Sequence, residues 1–286
     1  TNLVSEAMKK GLNQYAPMPG ILPLREQIAI KTEKLYGTVY NPETEITITS
    51  GATQAIYTAI AATITEGDEV IIFTPAYDCY EPAIELNGGR TVFVQMHAPD
   101  YRVNWDQVKK LITQRTKMII INSPHNPTGT VFDMEDMFAL EKIVSDTDIL
   151  LISDEVYEHI IFDGNQHQSV SKFPGLAERS FIISSFGKTF HNTGWKMGYC
   201  IAPENLMAEL AKDHRHKHIE RIVDEAIPER SFSDWHMASF NLSDDEPMDP
   251  TEIKKITQLF KESVSLSTAG GELLVAFYKS MLTKYL

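Results

Sequence analysis

The stretch Ser184-Ser185-Phe186-Gly187-Lys188-Thr189 sets a lysine among small and hydroxyl residues, directly after the apolar run Phe181-Ile182-Ile183. Screened from water and close to another cation, such a lysine gives up its proton more readily and becomes a nucleophile for a carbonyl. Lys196 supplies the second cation, and Ser185 and Thr193 offer hydroxyls suited to an oxyanion such as phosphate. Taken alone, the stretch reads better as a strand end and loop with two solvated lysines, because a lysine beside glycine and serine is common. The decision lies in what the rest of the chain sets beside it.

Other apolar runs end in polar residues of the same kind. Ile46-Thr47-Ile48-Thr49 leads into Ser50-Gly51-Ala52-Thr53-Gln54 and an alanine-rich helix to about 65. Strand, small-residue turn and helix N-terminus make an anion site, because free N–H groups and the helix dipole converge there. The alternative is an ordinary connection capped by Ser50 or Thr53. Further on, Tyr77 offers an aromatic face, Asn126 and Tyr157 neutral donors, and Asp154 a carboxylate. Together these groups suit a cofactor with an aldehyde, an aromatic nitrogen ring, a phenolic oxygen and a phosphate. Lys188 would take the aldehyde and shuttle a proton, with Asp154 keeping the ring nitrogen protonated. Gly51, Ala52, Thr53, Ser185 and Lys196 would take the phosphate.

The elements that must position these residues are visible as apolar runs: 46–49, 69–73, 90–94, 117–121, 148–152, 181–183 and 199–202. Helical patterns lie between most of them, for example 21–36 and 135–145, and 4–10 reads as mid-domain helix. Fully apolar strands alternating with helices predict an α/β fold with a mainly parallel sheet covered on both faces. Ligands in such sheets sit beyond the carboxyl ends of the strands, where Gly51, Tyr77, Asn126, Asp154 and Lys188 all fall.

Composition narrows the remaining possibilities. A length of 286 residues allows more than one domain, and 43% hydrophobic residues is ordinary for a globular chain. A net charge of −13 argues against binding to nucleic acid or an anionic membrane. Cys79 and Cys200 are the two cysteines, too few for a disulfide framework or a zinc spacing, so a reducing cytoplasm is the expectation. There is no apolar run of membrane-spanning length and no signal-peptide pattern.

Residues 15–202 resemble the large domain of the class I/II aminotransferases, enzymes of fold type I that use pyridoxal phosphate. The match is carried in order by Asn-Gln-Tyr-Ala-Pro-Met-Pro-Gly (13–20), Ser-Gly-Ala-Thr-Gln-Ala (50–55), Asn-Ser-Pro-His-Asn-Pro-Thr-Gly (122–129), Ser-Asp-Glu-Val-Tyr (153–157) and the run 185–199 around Lys188. The branch most similar is the methionine and kynurenine type, with Lys196 where many relatives carry arginine. The resemblance implies a Schiff-base lysine at Lys188, with Asp154 and Tyr157 beside it in catalysis. It further implies turnover between an amino acid and a 2-oxo acid. A homodimer is also implied, in which Tyr15 reaches the cofactor phosphate of the partner subunit. A carbon–sulfur lyase side reaction is a further expectation.

Two departures accompany the match. The family pattern calls for an arm before Thr1, and for a small domain whose arginine grips the substrate carboxylate; neither that domain nor that arginine is found from about Leu206 onward. The large domain is therefore assigned to 1–208. The tail, 209–286, resembles the C-terminal half of a blue-light-sensing flavin (BLUF) domain, a small α+β fragment with a seam near 208–210. In such domains Trp235 and Met237 lie near the flavin, FAD; core or interface packing is the alternative for both. His214, His216 and His218 alternate, so on a strand they would share a face and could meet a metal, although exposed histidines usually titrate in solvent. The composite leaves open a cofactor-binding but catalytically impaired chain, or a flavin photoreceptor fragment.

Overall fold

The computed structural model of the chain describes residues 2–12 and 15–215. Its first part runs α1 (Asn2–Lys9), α2 (Leu22–Tyr36), β1 (Ile46–Thr49), α3 (Gly51–Thr63), β2 (Glu69–Thr74) and α4 (Tyr80–Leu86). Then come β3 (Arg90–Gln95), α5 (Trp105–Leu111), β4 (Thr116–Asn122), α6 (Met134–Val144) and β5 (Leu150–Asp154). The last elements are α7 (Pro174–Ala177), β6 (Ser180–Ser185), α8 (Phe186–Thr189), β7 (Gly198–Ile201) and α9 (Glu204–Arg215). All of the strands expected from the apolar runs are present.

They form a single sheet in the order β1-β7-β6-β5-β4-β2-β3. Neighbours from β6 through β3 pair in parallel, whereas β7 runs antiparallel to both β6 and β1. The carboxyl ends of every strand but β7 therefore share one edge, and β7 starts there.

The unbroken apolar strands are explained by burial on both faces. Along β2, Ile71 and Phe73 enter one core while Val70 and Ile72 enter the other, as a period of two requires. The first core is closed by Ile28 of α2, Val108 of α5 and Met137, Leu140 and Val144 of α6. The second is closed by Ala55, Ile56, Ala59 and Ile60 of α3 and by Leu206, Met207 and Leu210 of α9. Small alanines let α3 lie close to the sheet, which sets its N-terminus over the strand ends. Asp133 starts α6 with a capping box shared with Asp136, accounting for the helix expected from 135.

These elements belong to a compact unit, Thr1–His214. Helix α9 runs unbroken through 208–210, where the tail was expected to begin. The rest of the chain, Arg215–Leu286, forms a second unit. Apart from Arg215 it lies outside the described residues, and with it the flavin-domain reading, Trp235, Met237, His216 and His218. His214 falls in α9. No helix among the described residues is long and apolar enough to cross a membrane.

Candidate active site

Asp154 closes β5, and its side chain is buried. Oδ2 accepts the Tyr80 hydroxyl at 2.6 Å, and Oδ1 accepts the Val156 N–H at 3.3 Å. Among the described residues no lysine, arginine or histidine forms an ion pair with it. Burial pushes the carboxyl up from the ordinary 3.8 to about 6, against the Tyr80 hydrogen bond and the charge of Lys188, which act the other way. A buried carboxylate without a counter-ion is costly, and it suits a place where the cation arrives with a ligand.

Asn122 stands beside Asp154 in the β4–β5 register. Its Nδ2 donates to the Asp154 carbonyl at 2.9 Å, and its Oδ1 accepts the Asn126 N–H at 2.7 Å. The position of Asn126 is thus set by a strand pair rather than by a free loop. Tyr77, in the connection after β2, stands edge-on to Tyr80 with ring centroids 5.8 Å apart. Burial raises the Tyr77 phenol, and its hydrogen bond to Thr53 opposes that rise. That bond ties the aromatic ring to the start of α3.

Gly51 opens α3 with φ 80°, a conformation that glycine adopts without strain. Ser50 occupies the N-cap position, yet its side chain makes no capping bond. The first-turn N–H groups therefore lack that partner, which favours the anion-site reading over the capped connection. Behind the turn lies Gly198, paired with both Thr49 and Ser185. A Cβ on Gly198 would lie 2.6 Å from the Gly51 carbonyl carbon and 2.7 Å from Ala52 N. Gly198→Ala is expected to push the turn out of place at a cost of about 1–3 kcal/mol. The affinity for a phosphate-bearing cofactor should then fall roughly tenfold, as fluorescence titration would show.

Ser185 ends β6 and makes no capping bond to α8, which carries Lys188. Lys188 Nζ lies 5.5 Å from the centre of the Tyr157 ring. The lysine is exposed, not screened from water as the sequence suggested, because the strand-end loops leave the cavity open to solvent. Lys196, in a left-handed conformation with φ 52°, comes from the loop before β7.

A cavity of about 380 Å³ gathers these groups. Gly51, Ala52, Thr53, Tyr77, Asn126, Asp154, Tyr157, Ser185, Lys188 and Lys196 all line it. Tyr15 does not: it is fully exposed, on the loop before α2. Sequence reasoning missed Asn122, Val156 and Tyr80. Tyr77 lies in the connection and Tyr80 at the first position of α4, so no helical spacing linked them; their ring contact is set by the path of that connection.

The arrangement fits pyridoxal phosphate: an uncapped helix N-terminus beside Lys196 for the phosphate, Lys188 for the aldehyde, and a buried carboxylate lacking a cation for the ring nitrogen. A mainly parallel sheet bearing this set at its strand ends defines the large domain of a fold-type-I pyridoxal-phosphate enzyme. The chain belongs to the class I and II aminotransferases, whose family model matches residues 2–229.

It is 49% identical over 207 residues to the methionine aminotransferase of Escherichia coli, a match covering 72% of this chain and 54% of that protein. It is 39% identical to the mouse kynurenine–oxoglutarate transaminase 1, covering 71% and 51%. Among solved structures, E. coli YbdL, identified as a methionine aminotransferase, superposes with a TM-score of 0.73 at 48% identity, covering 74% of this chain and 56% of that one. The chain thus spans about half the length of the curated relatives it matches.

Proposed function

We propose that this chain transfers an amino group between an aromatic or sulfur amino acid and a 2-oxo acid, with pyridoxal phosphate bound in the strand-end cavity. The observation that carries the reading is the meeting of Lys188, Asp154, Asn126, Tyr157 and the start of α3 around that cavity. The substrate class is supported by the methionine and kynurenine relatives.

When bound, the cofactor supplies an aldehyde for amino groups and a ring that delocalises the charge left by a departing α-proton. Lys188 Nζ holds that aldehyde between turnovers and moves the substrate's α-proton. Asp154 keeps the ring nitrogen protonated, while the Tyr80 hydroxyl and Val156 N–H hold the carboxylate in place. Asn126 and the Tyr157 hydroxyl would donate to the phenolic oxygen, and Tyr77 would offer its face to the ring. The first-turn N–H groups of α3, with Ser185 and Lys196, bind the phosphate. Tyr15, exposed on its loop, serves the cofactor phosphate of the partner subunit in a homodimer. We place the protein in the cytoplasm, a reading supported by the unpaired thiols Cys79 and Cys200.

The test is a visible-range spectrum with and without added pyridoxal phosphate, followed by incubation with methionine or kynurenine and a 2-oxo acid. The expected result is a cofactor absorbance band that changes on adding the amino acid, with the new amino acid appearing stoichiometrically. A colourless protein with no borohydride-fixed cofactor would overturn the reading.

A further inference from the structure

Glu158 follows Tyr157 directly, yet it lines a second cavity of about 170 Å³ behind the lysine-bearing helix α8. Its side chain is 2% exposed and collects donors from three elements. Lys31 Nζ of α2 lies 2.6 Å from Oε1 and 2.5 Å from Oε2, and the Tyr36 hydroxyl, also of α2, donates to Oε2 at 2.5 Å. Ser184 Oγ of β6 donates to Oε1 at 2.9 Å, with the Tyr199 hydroxyl of β7 at 3.3 Å. Lys31 also reaches the Tyr199 oxygen at 2.9 Å. Burial raises the Glu158 carboxyl, but the Lys31 ammonium and the hydroxyl donors outweigh it and hold it below its ordinary value.

The place of these contacts is informative. Glu158 is bonded to the chain next to Tyr157, and Ser184 next to Ser185; both neighbours line the first cavity. Ser184 and Tyr199 are also register partners across β6 and β7. One carboxylate therefore fixes the turn after β5, the end of β6 and the start of β7 against α2. Desolvating an ion pair offsets much of its attraction, so such a pair adds little net stability compared with apolar packing. What it supplies is specificity of position: donors from three elements converge on two buried oxygens, and displacing any one element would leave a buried polar group unpaired.

We propose that Glu158, locked by Lys31, is a positioning residue that sets the Tyr157 hydroxyl relative to Lys188. This rests on the reading of the first cavity as the pyridoxal-phosphate site. Tyr157 occupies a short turn whose Glu158 N–H bonds the Glu155 carbonyl at 3.0 Å and whose Ile160 N–H bonds the Tyr157 carbonyl at 2.7 Å. These two bonds tie the backbone at Tyr157 and Glu158 into one turn, so anchoring the Glu158 side chain restrains the backbone that carries Tyr157.

The test is a double-mutant cycle on cofactor-loaded protein, read as the pH midpoint of the bound cofactor's absorbance change. The proteins are wild type, Glu158→Gln, Tyr157→Phe and the double variant. Glu158→Gln is expected to move the midpoint by about 0.5–1 pH unit in the wild-type background, and by much less when Tyr157 is already phenylalanine. An equal shift in both backgrounds, or none in either, overturns the proposal, since a charge change or general loosening acts without Tyr157. Should Glu158→Gln fail to fold by circular dichroism, Ser184→Ala takes its place in the same cycle, because it removes one hydroxyl and keeps the ion pair. A wild-type protein that takes up no cofactor overturns the site reading itself, a result distinct from an additive cycle.

Discussion

Replacing Lys188 by alanine is expected to leave a folded protein that binds pyridoxal phosphate weakly, forms no reducible covalent bond to it, and transfers amino groups at least about 10⁴-fold more slowly. The fold should survive because Lys188 is exposed on the cavity wall and makes no ion pair among the described residues. Its described contact is the Tyr157 ring. Under the proposed function the chemistry should fail because one amine would do two tasks, holding the aldehyde and moving a proton, and no other described amine is placed to take over. Lys196 is the obvious candidate, yet it lies at the other end of the 193–196 turn, beside Gly51 and the phosphate end of the site. Mass spectrometry after borohydride reduction should find the cofactor on the Lys188 peptide in the wild type and on no peptide in the variant. Label on Lys196 in the variant would reassign the nucleophile. Added primary amines should restore part of the rate if proton transfer is the limiting loss.

The features readable beforehand are those written in local pattern. Each strand is a run of β-branched and apolar residues buried on both faces, as Val70-Ile71-Ile72-Phe73 is, and such runs stand out without any knowledge of their partners. The strand-end residues stood out because polar groups directly after buried runs fall on one edge of a parallel sheet. Contacts distant in sequence were invisible. Tyr80 meets Asp154 across 74 positions, and Lys31 meets Glu158 across 127; neither spacing carries a pattern. The exposure of Lys188 was misjudged for a related reason, because solvent access depends on loops from several strands at once. Gly198 lies within the 185–199 run, but its need for a missing Cβ arises from the close approach of β7 to the turn at Gly51, a tertiary fact.

Replacing Asp154 by asparagine is expected to stabilise the cofactor-free protein near neutral pH while sharply reducing activity. The wild-type carboxyl is raised from 3.8 to about 6 by burial, so the folded state holds its proton more tightly than the unfolded chain does. Stability is then greatest below the unfolded value, falls as pH rises between the two values, and stays lower above about 6. Two pH units at about 1.4 kcal/mol each make the loss roughly 3 kcal/mol. An amide at this position does not ionise. The variant's Tm should therefore exceed the wild type's by about 5–10 °C at pH 7.5, with the gap closing below pH 4. Tyr80→Phe removes the donor to Oδ2 and should act in the opposite direction, lowering wild-type stability at pH 7.5 by about 1–3 kcal/mol. Loading the cofactor should reverse the order, because a cationic ring nitrogen gives the wild-type carboxylate the partner that it lacks. With the ring nitrogen no longer held protonated, turnover of the asparagine variant should drop by about 10²–10³-fold or more. An asparagine variant less stable than wild type at pH 7.5 and level with it at pH 4 would mean that this carboxylate already has its counter-charge inside the fold, and is not kept for a ligand.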